Sequence, residues 1–101
     1  MARIERRPSA NLDLYEIWEY VALRSPASAD KLLRRIYDAF DLLAQNPRMG
    51  KEQYHLAPNL RSLSVKPYII FYEPLPDQEG VEIVRVLHQR QDREREFRQR
   101  E

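Results

Sequence analysis

Cysteine is absent from this sequence, which removes disulfides, thiol nucleophiles and thiolate metal sites together. The only two histidines, His55 and His88, are isolated and make a poor metal set. A basic excess is also missing: 17 Lys and Arg against 16 Asp and Glu leave a net charge of +1, so charge gives no argument for a protein living on phosphate contacts. No stretch approaches the roughly 20 apolar residues that span a bilayer, and the opening MARIERRPSA lacks the apolar core of a secretion signal. Internal repeats and low-complexity linkers are absent too. These absences predict a cytoplasmic, cofactor-free, metal-free protein with no membrane contact.

What is present is one domain's worth of periodic hydrophobicity. At 101 residues there is room for a single core. The 43% apolar fraction is enough for most of the chain to fold, leaving a highly charged end as a mobile tail.

Residues 2–7 place Ile4 among charges, and Pro8 stops any continuation, which predicts a brief edge strand. Ser9 is a reasonable helix cap. Leu14, Ile17, Trp18, Val21 and Ala22 then form an apolar stripe, so a first helix is expected over about 10–24 with Trp18 in the core and Tyr15 and Tyr20 at its rim. Ser25-Pro26 opens a second helix, which runs through Ala29, Leu32, Leu33, Ile36, Phe40, Leu43 and Ala44 to Asn46-Pro47. The tight junction predicts an antiparallel helical hairpin. Residues 47–59 have two prolines, a glycine and no sustained period, and read as an irregular connection anchored by Tyr54 and Leu56.

Three runs rich in β-branched and aromatic residues follow, at 60–65, 68–73 and 81–88, with turns at Lys66-Pro67 and 74–80. They predict an antiparallel meander. In the last run Val81, Ile83, Arg85 and Leu87 alternate with Glu82, Val84, Val86 and His88, which predicts two mixed faces and a covered strand. The end, QRQDREREFRQRE, alternates charge around a lone Phe97. It reads as a solvated helix or a mobile, partner-ordered tail from about 90 to 101 rather than as core. The predicted architecture is α+β: a strand, a two-helix hairpin on one sheet face, a three-stranded meander and a short C-terminal helix or tail.

That order, together with Leu60-Arg61, Tyr68-Ile69-Ile70-Phe71-Tyr72, Glu82 to His88 and Arg90 to Asp92, resembles the ParE toxins of the RelE/ParE superfamily. Asp13-Leu14, Ile17-Trp18-Glu19-Tyr20 and Asn46-Pro47-Arg48-Met49-Gly50 look like the first helix of those toxins and the link after their second. The likeness covers nearly the whole chain. It implies a toxin of a type II toxin-antitoxin system, a growth-arrest and plasmid-stabilisation device. Such a toxin poisons DNA gyrase by binding and is neutralised, in a hetero-oligomer, by a ParD-like antitoxin. On that reading no catalytic residue is needed, no direct nucleic-acid contact is expected, and Arg90, Arg93 and Phe97 are the candidate target contacts.

The rival branch resembles RelE, a ribosome-dependent mRNA endoribonuclease that needs a clustered basic site to hold phosphate and move protons. Here Ile69, Ser62 and Ser64 stand where that pattern carries basic residues. The alternative catalytic set is Arg61, Tyr68, His88 and Arg90, with His88 as acid or base and the arginines on phosphate. The plainer reading of His88 is a strand-end side chain bonded to backbone or water.

Overall fold

Proline has no N–H to give a ladder and a φ already suited to a helix, so Pro8 can end one element and open the next. It does both in the computed structural model, which describes residues 2–98. Strand β1 (Arg3–Arg6) stops just before it, and α1 (Pro8–Ala22) starts on it. The cap is Arg7, whose side chain makes no capping bond. Ser9, expected to cap, instead donates its hydroxyl to the Val84 carbonyl at 3.0 Å and ties the helix start to the sheet. Helix α2 (Pro26–Gln45) begins as the sequence predicts, with the Ser25 hydroxyl accepting from the Ser28 N–H.

Both helices lie on one face of a five-stranded sheet made of β1, β2 (Lys51–Glu52), β3 (Arg61–Val65), β4 (Tyr68–Pro74) and β5 (Gly80–His88), in the order β1-β5-β4-β3-β2. The meander β3-β4-β5 is antiparallel, as expected. It gains β1, parallel to β5, at one edge and the two-residue β2, from the segment expected to be irregular, at the other. Gly80 begins β5 at φ 145°, and a side chain there would collide with the Arg3 backbone, so only glycine lets the two strands meet.

Strict alternation fails inside β5. Phe71 faces Arg85 and Tyr72 faces Ile83, which leaves Val84 as an extra, unpaired residue in a β-bulge. Beyond the bulge the faces exchange: Val86 joins Val81 and Ile83 in the helix-side core, while Leu87 joins Val84 on the other side. The expected grouping of Val81 and Ile83 with Leu87 is therefore corrected by one inserted residue.

The second sheet face is not bare. Leu60, Ile69, Phe71, Val84 and Leu87 are covered by Phe97 from α3 (Arg93–Arg98), with Leu56 and Ala57 of the preceding connection packed alongside. Phe97 is 8% exposed and meets Phe71 edge-on at 5.1 Å between ring centroids. Over 93–98 the charged end is thus a helix that contributes to the core, because one large ring outweighs a solvated surround. Residues 99–101 of the predicted tail lie outside the described residues.

Trp18 departs from expectation in the opposite sense. Ala10, Leu14 and Ile17 take the buried arc of α1, and Trp18 falls to its edge at 37% exposure. There its indole N–H donates to Asp30 Oδ1 at 2.9 Å, as suits a ring with one polar corner at the rim between two helices.

Candidate functional site

A carboxylate on the buried arc of α1 needs a partner. Asp13 is that residue, 8% exposed between Ala10 and Ile17, and it finds Arg85 at the bulge. Arg85 Nε and Nη2 donate to the two Asp13 oxygens at 2.7 and 2.9 Å, and the Val86 N–H donates to Asp13 Oδ2 at 2.9 Å. Arg85 Nη1 also meets Glu96 of α3 at 3.2 Å. One guanidinium therefore joins α1, β5 and α3. The hydrogen bond that Arg85 donates to Asp13 raises the Arg85 pKa above its ordinary value, in spite of burial.

This junction floors a cleft of about 510 Å³ whose walls are Glu16, Ile17 and Tyr20 of α1, Tyr68 of β4, Val86 and His88 of β5, Gln91, and Glu96 of α3. Tyr68 and His88 are cross-strand partners, their rings edge to face at 5.2 Å. His88 Nδ1 accepts from the Arg90 N–H at 3.1 Å, and the His88 N–H donates to Gln91 Oε1 at 2.8 Å. Burial pushes the Tyr68 phenol above its usual pKa, with Tyr20 adding to the effect.

Arg61 belongs elsewhere. It pairs across the strands with Tyr72, four residues or about 13 Å along β4 from Tyr68. Its Nη1 donates to the carbonyls of Arg48 at 3.0 Å and Gly50 at 2.8 Å, and its Nη2 donates to the Tyr54 hydroxyl at 3.1 Å. Beside it the Tyr72 hydroxyl accepts from the Gly50 N–H and donates to the Pro47 carbonyl, each at 2.8 Å. A side chain at position 50 would meet that hydroxyl at 2.5 Å, so glycine is required where the connection crosses Tyr72. Burial raises the Tyr72 phenol, while the Gly50 N–H and Arg61 pull it down. The cleft beside Arg61, about 300 Å³, shares no lining residue with the Tyr68 cleft.

Of the alternative catalytic set, then, Tyr68 and His88 come together, Arg90 reaches His88 through its backbone, and Arg61 is apart. Three carboxylates, Asp13, Glu16 and Glu96, against the one guanidinium of Arg85 give the Tyr68–His88 cleft an excess of two negative charges, the wrong sign for a phosphodiester. The target-contact candidates divide as well. Arg90 is exposed, Arg93 lies over the Phe71 ring at 5.8 Å, and Phe97 is in the second core. His55 is exposed in the connection. Asp13, Glu16, Arg85 and Glu96 were not singled out from sequence, although an aspartate inside the apolar stripe of α1 was a readable signal. Among the described residues no group of three His, Asp or Glu side chains could hold a metal ion, and no helix is long and apolar enough to cross a membrane.

A two-helix layer on a five-stranded sheet, backed by a short C-terminal helix, is a small α+β fold. It superposes on a chain of the chromosomal ParDE toxin-antitoxin system from P. aeruginosa with a TM-score of 0.71 at 23% identity, over 87% of this chain and 96% of that one. Within that class the chain belongs to the ParE toxin family of type II toxin-antitoxin systems, parDE, whose family model matches residues 4–93. It is 36% identical to Toxin ParE1 of Mycobacterium tuberculosis over 89 residues, 87% of this chain and 90% of the relative. It is 33% identical to Toxin ParE3 of Caulobacter vibrioides over 88 residues, 86% of each. The protein is the toxin component of a type II toxin-antitoxin system.

Proposed function

We propose that this toxin arrests growth by docking on DNA gyrase, without chemistry of its own, and stalls the enzyme with its DNA cut. A ParD-like antitoxin silences it in the cytoplasm by forming a hetero-oligomer with it. The observation that carries this reading is the separation of the basic and proton-moving groups. Arg61 is spent on the carbonyls of its own loop, and Tyr68 and His88 sit among carboxylates. A nuclease of the RelE type needs them in one cationic site.

The experiment is a gyrase supercoiling and DNA-cleavage assay with purified toxin, with and without antitoxin, beside a ribosome-dependent mRNA cleavage assay. Trapped cleavage complexes that antitoxin prevents are the expected result. Intact gyrase with cut mRNA would overturn it in favour of Tyr68, His88 and Arg90 as nuclease residues.

A further inference from the structure

Tyr68 has a polar group with no hydrogen-bond partner among the described residues. The residue is 7% exposed and its ring packs in the helix-side core, yet its hydroxyl makes no hydrogen bond among the described residues. No polar side-chain atom sealed from solvent lacks a partner in those residues, so this hydroxyl is not sealed. It opens into the cleft that Tyr68 lines between α1, β5 and α3. A hydroxyl on a side chain this buried, without a protein partner among the described residues and open to the cleft, is available to bond a ligand there in place of water.

We infer that this cleft is a socket for an arginine side chain of the antitoxin, with the Tyr68 hydroxyl and the Glu16 carboxylate as acceptors and the Tyr20 ring as a stacking surface. The inference rests on the antitoxin reading above.

The chemistry of the walls selects the occupant. Two surplus negative charges favour a cation. Glu16 is exposed and has no ion-pair partner among the described residues, whereas Asp13 and Glu96 are held by Arg85. Tyr20, 71% exposed, stands at the mouth beside Glu16. A carboxylate, a phenol oxygen and an aromatic face suit a planar guanidinium, which spreads five donors and stacks, better than a compact ammonium. Burial keeps the Tyr68 phenol protonated, so its oxygen remains a neutral acceptor.

The surroundings select the source. Glu16 and Tyr20 also border a shallow apolar depression formed with Trp18, Ala22, Leu23 and Pro26, where Leu23 is exposed. The two hollows adjoin at Glu16 and Tyr20, which line both. A segment with apolar residues followed by an arginine would fill both. A partner that stays bound covers such apolar surface.

The test uses the full chain labelled with 13C at tyrosine rings. Blocked arginine (N-acetyl-arginine amide) is titrated in, with blocked citrulline as its uncharged counterpart of nearly the same shape. Saturable shifts of the Tyr68 and Tyr20 signals with arginine, absent with citrulline and weakened about tenfold in Glu16→Gln, are expected. Equal shifts with both probes, or none, would overturn the socket.

The antitoxin itself supplies the second arm. Glu16→Gln and Tyr68→Phe, each with an unchanged Tm, are expected to speed its dissociation about tenfold, and an Arg→citrulline replacement in its sequence to do the same. Unchanged dissociation in both variants would overturn the socket while leaving the antitoxin reading intact. An antitoxin that fails to bind the unaltered toxin would sink that reading, and with it the assignment of the source.

Discussion

Arg85 and Arg61 are both largely buried and both join elements distant in sequence, but they are met by different oxygens. Arg85 is held by the Asp13 and Glu96 carboxylates, whereas Arg61 is held chiefly by the carbonyls of Arg48 and Gly50 and by a phenol, with the exposed Glu52 carboxylate farther off at 3.6 Å. The contrast separates two uses of one residue type. Removing Arg85 strands a negative charge inside the protein; removing Arg61 strands neutral acceptors, and the one carboxylate it frees, Glu52, is already in solvent. A buried arginine in a small toxin is thus no sign of phosphate chemistry until its own oxygens have been counted.

The difference can be broken most forcefully at Arg85. Arg85→Ala should cost about 3 kcal/mol of unfolding free energy by urea titration, because Asp13 is left buried with one backbone donor. A paired change, Asp13→Leu with Arg85→Met, should return most of that loss, since an apolar pair of similar volume replaces an ion pair at little cost. A double variant as unstable as the single would mean the charges are not what holds this corner.

Arg61→Met should cost less, about 2 kcal/mol. Its mark should be local, with faster amide exchange in the connection over residues 47–54 and little change in α1. Tyr72→Phe removes only the hydroxyl that bridges Gly50 and Pro47 and should cost about 1 kcal/mol, with the same exchange signature. If either substitution loosened α1 as much as the connection, the two regions would not be independent.

The smallest effect should come from the exposed pair of Arg3 and Asp77. The Glu79 N–H and the Arg3 guanidinium hold the Asp77 carboxyl below its ordinary pKa. A carboxylate depressed in the folded state adds stability above its unfolded pKa, and that addition is lost as pH falls through the lower folded value. Asp77→Asn should therefore flatten the acid limb of the stability profile slightly and leave neutral pH nearly unchanged. A steeper limb would contradict the sign.

Much of this fold was legible because its signals are local and repeated. Helical spacing located α1 and α2 to within two residues, and Ser25-Pro26 marked where the second begins. The meander was equally plain from its β-branched and aromatic runs. What escaped depended on single residues or on distant partners. One inserted residue at Val84 exchanged the faces of β5, and no local pattern announces such a bulge. Phe97 looked solvated because its neighbours are charged, yet its fate was set by a hollow over Phe71 formed many residues earlier. The cleft was half legible: Tyr68 and His88 stood out by type, but the carboxylates beside them come from α1 and α3 and meet only in three dimensions.

The parallel pairing of β1 with β5 has a consequence in time. Ile4 lies beside Val81, and the Arg7 N–H bonds the Ile83 carbonyl, so β1 has no neighbour until β5 has been made. Until then α1 and α2 can pair with each other but have no completed sheet to cover, and the ladder between β1 and β5 closes late because its ends are so far apart along the chain. Completion of the sheet therefore waits on the synthesis of β5. A nascent chain halted before residue 80 holds both helices and the strands up to β4, but lacks β5, to which β1, α1 and α3 are all joined.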